Sequence, residues 1–208
     1  MRLSAISLCL AVALPVVLSA QEVDSLYSSH DWARDCERVG RAAPPDEAAM
    51  GARIVCPGPD GMQVMLADSD LRISMDYGRA ARFGPWESFA TFSDVSTTIE
   101  WRRQRLGGEM TPFATIHRWF VGPGDTAREL LVISTVANAP AQESCMVGFI
   151  DTTDTADANA LARDVADRYA RGFVCANAQA RGFGYVGVDT PVPRRASPPS
   201  NTNTGDRP

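Results

Sequence analysis

Five cysteines stand at positions 9, 36, 56, 145 and 175, and the first lies in a segment that reads as an export signal. Met1-Arg2 supplies a minimal positive start, Ile6 to Leu18 an apolar stretch interrupted by Pro15, and Leu18-Ser19-Ala20 a small residue at the cleavage position. That stretch is short for a membrane span, and Leu8 is too bulky to precede a lipid-bearing cysteine. Cleavage before Gln21 removes Cys9 and leaves an even set of four, Cys36, Cys56, Cys145 and Cys175, in an oxidising space, the periplasm or the exterior. Two disulfides are therefore expected, and any fold must bring these thiols together in pairs.

Four cysteines permit three pairings, of which sequence proximity favours Cys36 with Cys56 and Cys145 with Cys175. The second pair also has a geometric argument. A strand of seven residues near 144–151 runs ~23 Å outward, and a helix of sixteen near 156–171 returns ~24 Å, so Cys175 comes back beside Cys145. A zinc knuckle needs CxxC spacing, which none of the four provides.

The hydropathy pattern predicts an α+β domain over 21–188. A short helix is expected from Ser28 to Val39, with Ser28 or Ser29 as cap, ended by Pro44-Pro45. Ile54–Cys56 and Met62–Ala67 flank a turn-rich Pro57–Gly61, and Leu71, Ile73, Met75 and Tyr77 alternate with polar residues as a strand with one wet face. The segment from Arg79 to Val95, with Phe83, Trp86, Phe89 and Phe92 among glycine and proline, has no clear period. Thr97–Arg103 alternates again, while Phe113–Val121 is apolar on both parities, as a central strand buried on both faces should be. Leu130–Ile133 and Cys145–Ile150 complete the strands, and short connections make neighbours antiparallel.

Leu161, Val165, Tyr169 and Phe173 then form an apolar helical stripe ended by Gly172. The expected architecture is a meander-like antiparallel sheet of six or seven strands with both helices on one face, a small β-barrel with an accessory helix being the alternative. Five of the 14 prolines fall within 189–208 among Ser, Asn and Thr, which predicts a disordered tail.

Charge and composition restrict function more than they reveal it. The chain carries −5, and loss of Arg2 with the signal makes it −6, against nucleic acid as a partner. All 20 basic residues are arginine, so Schiff-base chemistry and a P-loop phosphate grip have no residue to use. Only two histidines, His30 and His117, are present, which excludes a three-histidine zinc site. No cofactor is implied.

Three residue sets bear on chemistry. His117, inside a strong strand, is the one candidate catalytic base, but no GxSxG elbow accompanies it and a hydrogen-bonded core histidine is the simpler expectation. His30, beside Asp31, is expected to cap a helix or sit at the surface. Asp151, Asp154 and Asp157 recur at three-residue steps with interspersed threonines, a candidate calcium set, although acids before a helix are also expected from capping alone. Asp68 and Asp70 read as turn formers. Trp101, Arg103 and Arg105 would share one strand face and present an aromatic plate beside two guanidinium groups, suited to a partner protein or an acidic envelope polymer. The alternative is that Trp101 is core and the arginines border a solvated edge. The leading expectation is an exported, non-catalytic binding domain with no membrane span after cleavage; a hydrolase using His117 and a calcium-stabilised structural module are the alternatives.

Overall fold

The computed structural model describes residues 22–40, 51–80, 82–176 and 178–196. The export segment 1–20, the proline break at 41–46 and the last twelve residues lie outside the described ones. Among the described residues twelve strands run in chain order: β1 Val23–Ser29, β2 Glu37–Arg38, β3 Ala52–Pro57, β4 Gln63–Ser69, β5 Arg72–Gly78 and β6 Glu87–Ser88, followed by β7 Ser93–Leu106, β8 Glu109–Val121, β9 Arg128–Thr135, β10 Met146–Asp151, β11 Arg181–Phe183 and β12 Arg194–Arg195. One helix, α1 Ala158–Val165, continues as a π-helical turn over Ala166–Ala170.

The strands form two main sheets where the sequence predicts one. A six-stranded sheet has the order β1-β7-β8-β9-β10-β11, a four-stranded sheet the order β2-β3-β4-β5, and β6 pairs with β12 in a short ladder. The larger sheet is open, so the barrel alternative does not hold. It is also mixed: β7 to β10 form the expected antiparallel meander, but the chain leaves β10 through α1 and returns as β11 parallel to β10. A strand–helix–strand crossover brings the chain back in the direction it left, which short turns cannot do.

Double-sided burial of β8 to β10 explains the second sheet. Ile99, Trp101, Trp119, Leu130, Val132 and Phe149 meet Val64, Leu66, Met75 and Tyr77 of the small sheet in one core. On the opposite face, Ala114, Ile116, Leu131, Ile133, Val147 and Ile150 meet Ala158, Ala162, Val165 and Ala166 in another. One helix covers one face of a sheet, and the apolar residues on the other need a further layer.

The predicted N-terminal helix is absent. Residues up to Ser29 pair with β7, from Val23 opposite Gln104 to Ser29 opposite Thr98. Asp31 caps a single turn, its Oδ1 accepting the N–H groups of Ala33 and Arg34 at 3.1 and 3.2 Å. The turn stops because β2 pairs with β3 and Cys36 is tied to Cys56; long-range pairing overrides a weak local propensity. Both disulfides have the expected connectivity, Cys36–Cys56 and Cys145–Cys175, and they point to an oxidising, exported compartment. Among the described residues no helix is long and apolar enough to cross a membrane.

Ordered packing also extends past residue 188. Thr190 and Arg195 are buried, and β12 pairs with Glu87 and Ser88. Proline content marks a segment that cannot form interior ladder bonds, but it does not prevent a neighbouring arginine from being held by buried acids.

Candidate functional site

The two faces of β5 diverge in environment. Tyr77 points into the core between the sheets, whereas Ser74 and Asp76, expected on a wet face, are 4 % and 6 % exposed. The aperiodic segment after β5 covers them: Ser74 Oγ accepts the Glu87 N–H at 3.1 Å, and Asp76 Oδ2 accepts the Gly84 N–H at 2.9 Å. A side chain at position 84 would put its Cβ 2.8 Å from Asp76 Oδ1, so glycine is what allows this approach.

Beyond Asp76 the end of β5 meets the β9–β10 connection. Gly78 bridges to Ala137, and the Ala137 N–H donates to Tyr77 O at 2.8 Å. That connection is held by its own side chains. Gln142 Oε1 accepts the N–H groups of Asn138 and Ala139, and the Asn138 amide nitrogen donates to Pro112 O at 2.6 Å. Between residues 76–85 and 137–144 lies a cleft of about 600 Å³, with walls that include Met65, Phe83, Pro85, Ala137 and Pro140 and with Asp76 among its lining residues. A mostly apolar cleft with a few convergent polar groups is the usual form of a ligand site.

The charges behind the cleft are unbalanced. Arg195, whose side chain is 4 % exposed, donates to Glu87 Oε2 at 3.2 Å and to Glu143 Oε2 at 2.9 Å. Glu87 also accepts the Met146 N–H at 2.8 Å. Three acids, Asp76, Glu87 and Glu143, thus share one arginine, which is already engaged by two of them. Burial is the main cause that pushes the Asp76 carboxyl up to about 7, with Glu87 and Glu143 adding to it against the Gly84 N–H and Arg195. Burial also raises Glu87. A carboxyl poised near neutrality in a cleft can donate a proton, accept one, or hold a cation.

The histidines are placed elsewhere. His117 is 1 % exposed, with Nε2 donating to Ser96 O at 2.8 Å and Nδ1 accepting from the Tyr77 hydroxyl at 2.8 Å. Burial lowers it to about 4, so the ring is neutral and both nitrogens are occupied. It lines neither this cleft nor the two other cavities described. His30, expected at the surface, is 4 % exposed; its Nε2 shares a 2.9 Å hydrogen bond with Ser28 Oγ, and the ring stacks on Trp32.

The strand face proposed from sequence is not a free surface. Trp101 is fully buried, its Nε1 donating to Ser28 Oγ at 2.8 Å. Arg103 makes a bidentate pair with Asp24, at 2.9 and 2.7 Å, and Arg105 pairs with Glu22 at 2.7 Å. Asp24 on β1 and Glu22 just before it, residues for which the sequence pattern predicts no element, supply those carboxylates and thereby occupy the guanidinium groups. The aspartate triplet is divided likewise: Arg128 takes both Asp151 and Asp154, while Asp157 adopts a left-handed backbone at the start of α1 without a side-chain cap. Asp70 does form a turn, with Leu71, and both have positive φ.

Asp76 was legible as an acid in an alternating strand but not as a buried one. The available signal was the aromatic segment after it: Phe83, Trp86 and Phe89 within glycine and proline must pack somewhere, and the polar face of β5 is adjacent in sequence. Compared with known family models, curated proteins and solved structures, the chain finds no match.

Proposed function

We propose that this is an exported, non-catalytic domain that recognises a partner protein of the cell envelope, in the periplasm where the cell has one, through the cleft beside Asp76. The observation that carries this reading is the cleft itself: an apolar hollow of about 600 Å³ ending at a buried carboxyl that has no ion-pair partner within the described residues. The burial of Trp101 and the pairing of Arg103 with Asp24 and of Arg105 with Glu22 favour the cleft over that strand as the interface. The closed environment of His117 likewise supports binding over hydrolysis at that residue.

Site-specific photo-crosslinking in the exporting cell tests the reading. A photoreactive residue at Ala139, beside the cleft, is expected to give one defined adduct that disappears in Phe83→Asp; the same probe at Arg105 gives none. Equal adducts from both positions, or insensitivity to Phe83→Asp, would remove the cleft from consideration.

A further inference from the structure

Resting on that reading, we infer that the cleft takes a primary alkylammonium, the side chain of a lysine presented by the partner polypeptide. Asp76 is buried, and among the described residues only its Oδ2 has a donor while Oδ1 has none. Asn138, which lines the same cleft, has its Oδ1 buried without a donor, its orientation fixed because the amide nitrogen faces the Pro112 carbonyl. Such acceptors are costly unless a donor arrives. Arg195 is paired with Glu87 and Glu143 and makes no ion pair with Asp76, so a cation is the donor that suits the open oxygen of Asp76.

The geometry selects the kind of cation. A guanidinium binds best as a fork on two carboxylate oxygens, but one oxygen of Asp76 is already taken by Gly84. An ammonium is a point charge with three donors and suits one open oxygen, while Phe83, Pro85 and Pro140 can cover its methylene stem. Arg79 and Arg82 also line the cleft, each donating to a backbone carbonyl, of Asp60 and Pro140 respectively. Their charge opposes the second ammonium of a free diamine and is compatible with the carbonyls of a peptide. This chain has no lysine, so another copy of it cannot supply that side chain.

The test is an NMR titration followed at the Gly84 amide, with Nα-acetyl-lysine methylamide, its norleucine and arginine counterparts, and putrescine as probes. The lysine amide should bind at least about tenfold more tightly than the others. Its affinity should rise about tenfold from pH 6 to pH 8 as Asp76 ionises among Glu87, Glu143, Arg195, Arg79 and Arg82. Asp76→Asn, which keeps an acceptor for Gly84, should abolish that preference and its pH dependence. Equal binding of norleucine or arginine, tighter binding of putrescine, or an unaltered preference in Asp76→Asn would overturn the inference. If the Ala139 crosslink persists while lysine shows no preference, the cleft stands and the ligand class falls; if both fail, both readings fall.

Discussion

Asp151 and Asp76 are aspartates on different sheets, 1 % and 6 % exposed, and they meet burial in opposite ways. Asp151, closing β10, accepts from Arg128 at 2.6 Å, from the Thr190 hydroxyl at 3.1 Å and from the Thr153 N–H at 3.1 Å. Asp76, in β5, has the Gly84 N–H and one open oxygen. Removing a carboxylate from water is costly in either place, and only at Asp151 does the fold return a cation and enough donors. The lesson is that burial does not by itself mark a functional acid. A buried acid whose needs are met locally holds the structure together, whereas one left short beside a cleft is chemically available.

The largest expected effect inverts the usual result of altering a buried residue. Asp76→Asn should stabilise the protein at pH 8 by up to about 4 kcal/mol, since each pKa unit represents about 1.4 kcal/mol. The sign follows from linkage. With Asp76 at about 7 in the folded state and near 3.8 unfolded, the folded protein holds the extra proton between those values, so stability falls as pH rises through that window. His117 acts in the opposite sense. Held at about 4 against 6.5, it leaves the extra proton on the unfolded chain, so stability rises with pH between those values. The two slopes oppose one another from about pH 4 to 6.5 in the native chain. In Asp76→Asn the opposing slope is lost while that of His117, up to about 3 kcal/mol across the window, persists. Urea unfolding at pH 4, 6 and 8 checks both statements; an Asn variant less stable than the native chain at pH 8 would break the contrast with Asp151.

The same substitution on the other side should go the other way. Asp151→Asn removes the charge from the pair with Arg128 and should cost about 2 kcal/mol at neutral pH, below the usual figure for breaking a buried pair because Arg128 is partly exposed and keeps Asp154. Equilibrium urea unfolding measures it, and a gain in stability would contradict the assignment of Asp151 to a structural role. The smallest effect sharpens the contact itself. Gly84→Ala should cost about 1 kcal/mol through crowding of Asp76 Oδ1, and the cost should vanish when Asp76 is also alanine, as a double-mutant cycle would show.

Several features of the fold were readable because they depend on local pattern or chain length. Phe113–Val121, apolar on both parities, is a central strand between two cores, and its neighbour β9 repeats that pattern through Leu130, Leu131, Val132 and Ile133. The return of Cys175 to Cys145 followed from matched strand and helix lengths. The residues from Ser28 to Val39 were misread because capping residues and acids indicate where a helix can start but cannot weigh it against pairing of Ser28 and Ser29 with a strand some seventy residues away or of Glu37 and Arg38 with β3. The fate of the arginines was hidden for a separate reason, since residues 21–27 show no period in the sequence and Asp24 and Glu22, which neutralise Arg103 and Arg105, enter on β1 and just before it.

The candidate site was the least legible part. Its carboxyl comes from β5, its covering N–H from an aperiodic segment, its opposite wall from the β9–β10 connection, and its counter-charge from Arg195 near the chain's end. No short motif spans those distances.

By itself the sequence favoured the disulfide pairs and determined the central strands, the main helix and the absence of lysine, because each is a matter of composition, spacing or periodicity. Tertiary structure decided that the larger sheet is covered on both faces, that Trp101 and His117 are core, and that Asp76 is an acid left short of partners beside a cleft. Whether a polar group is satisfied depends on what distant segments bring to it, and that is set only when the layers close.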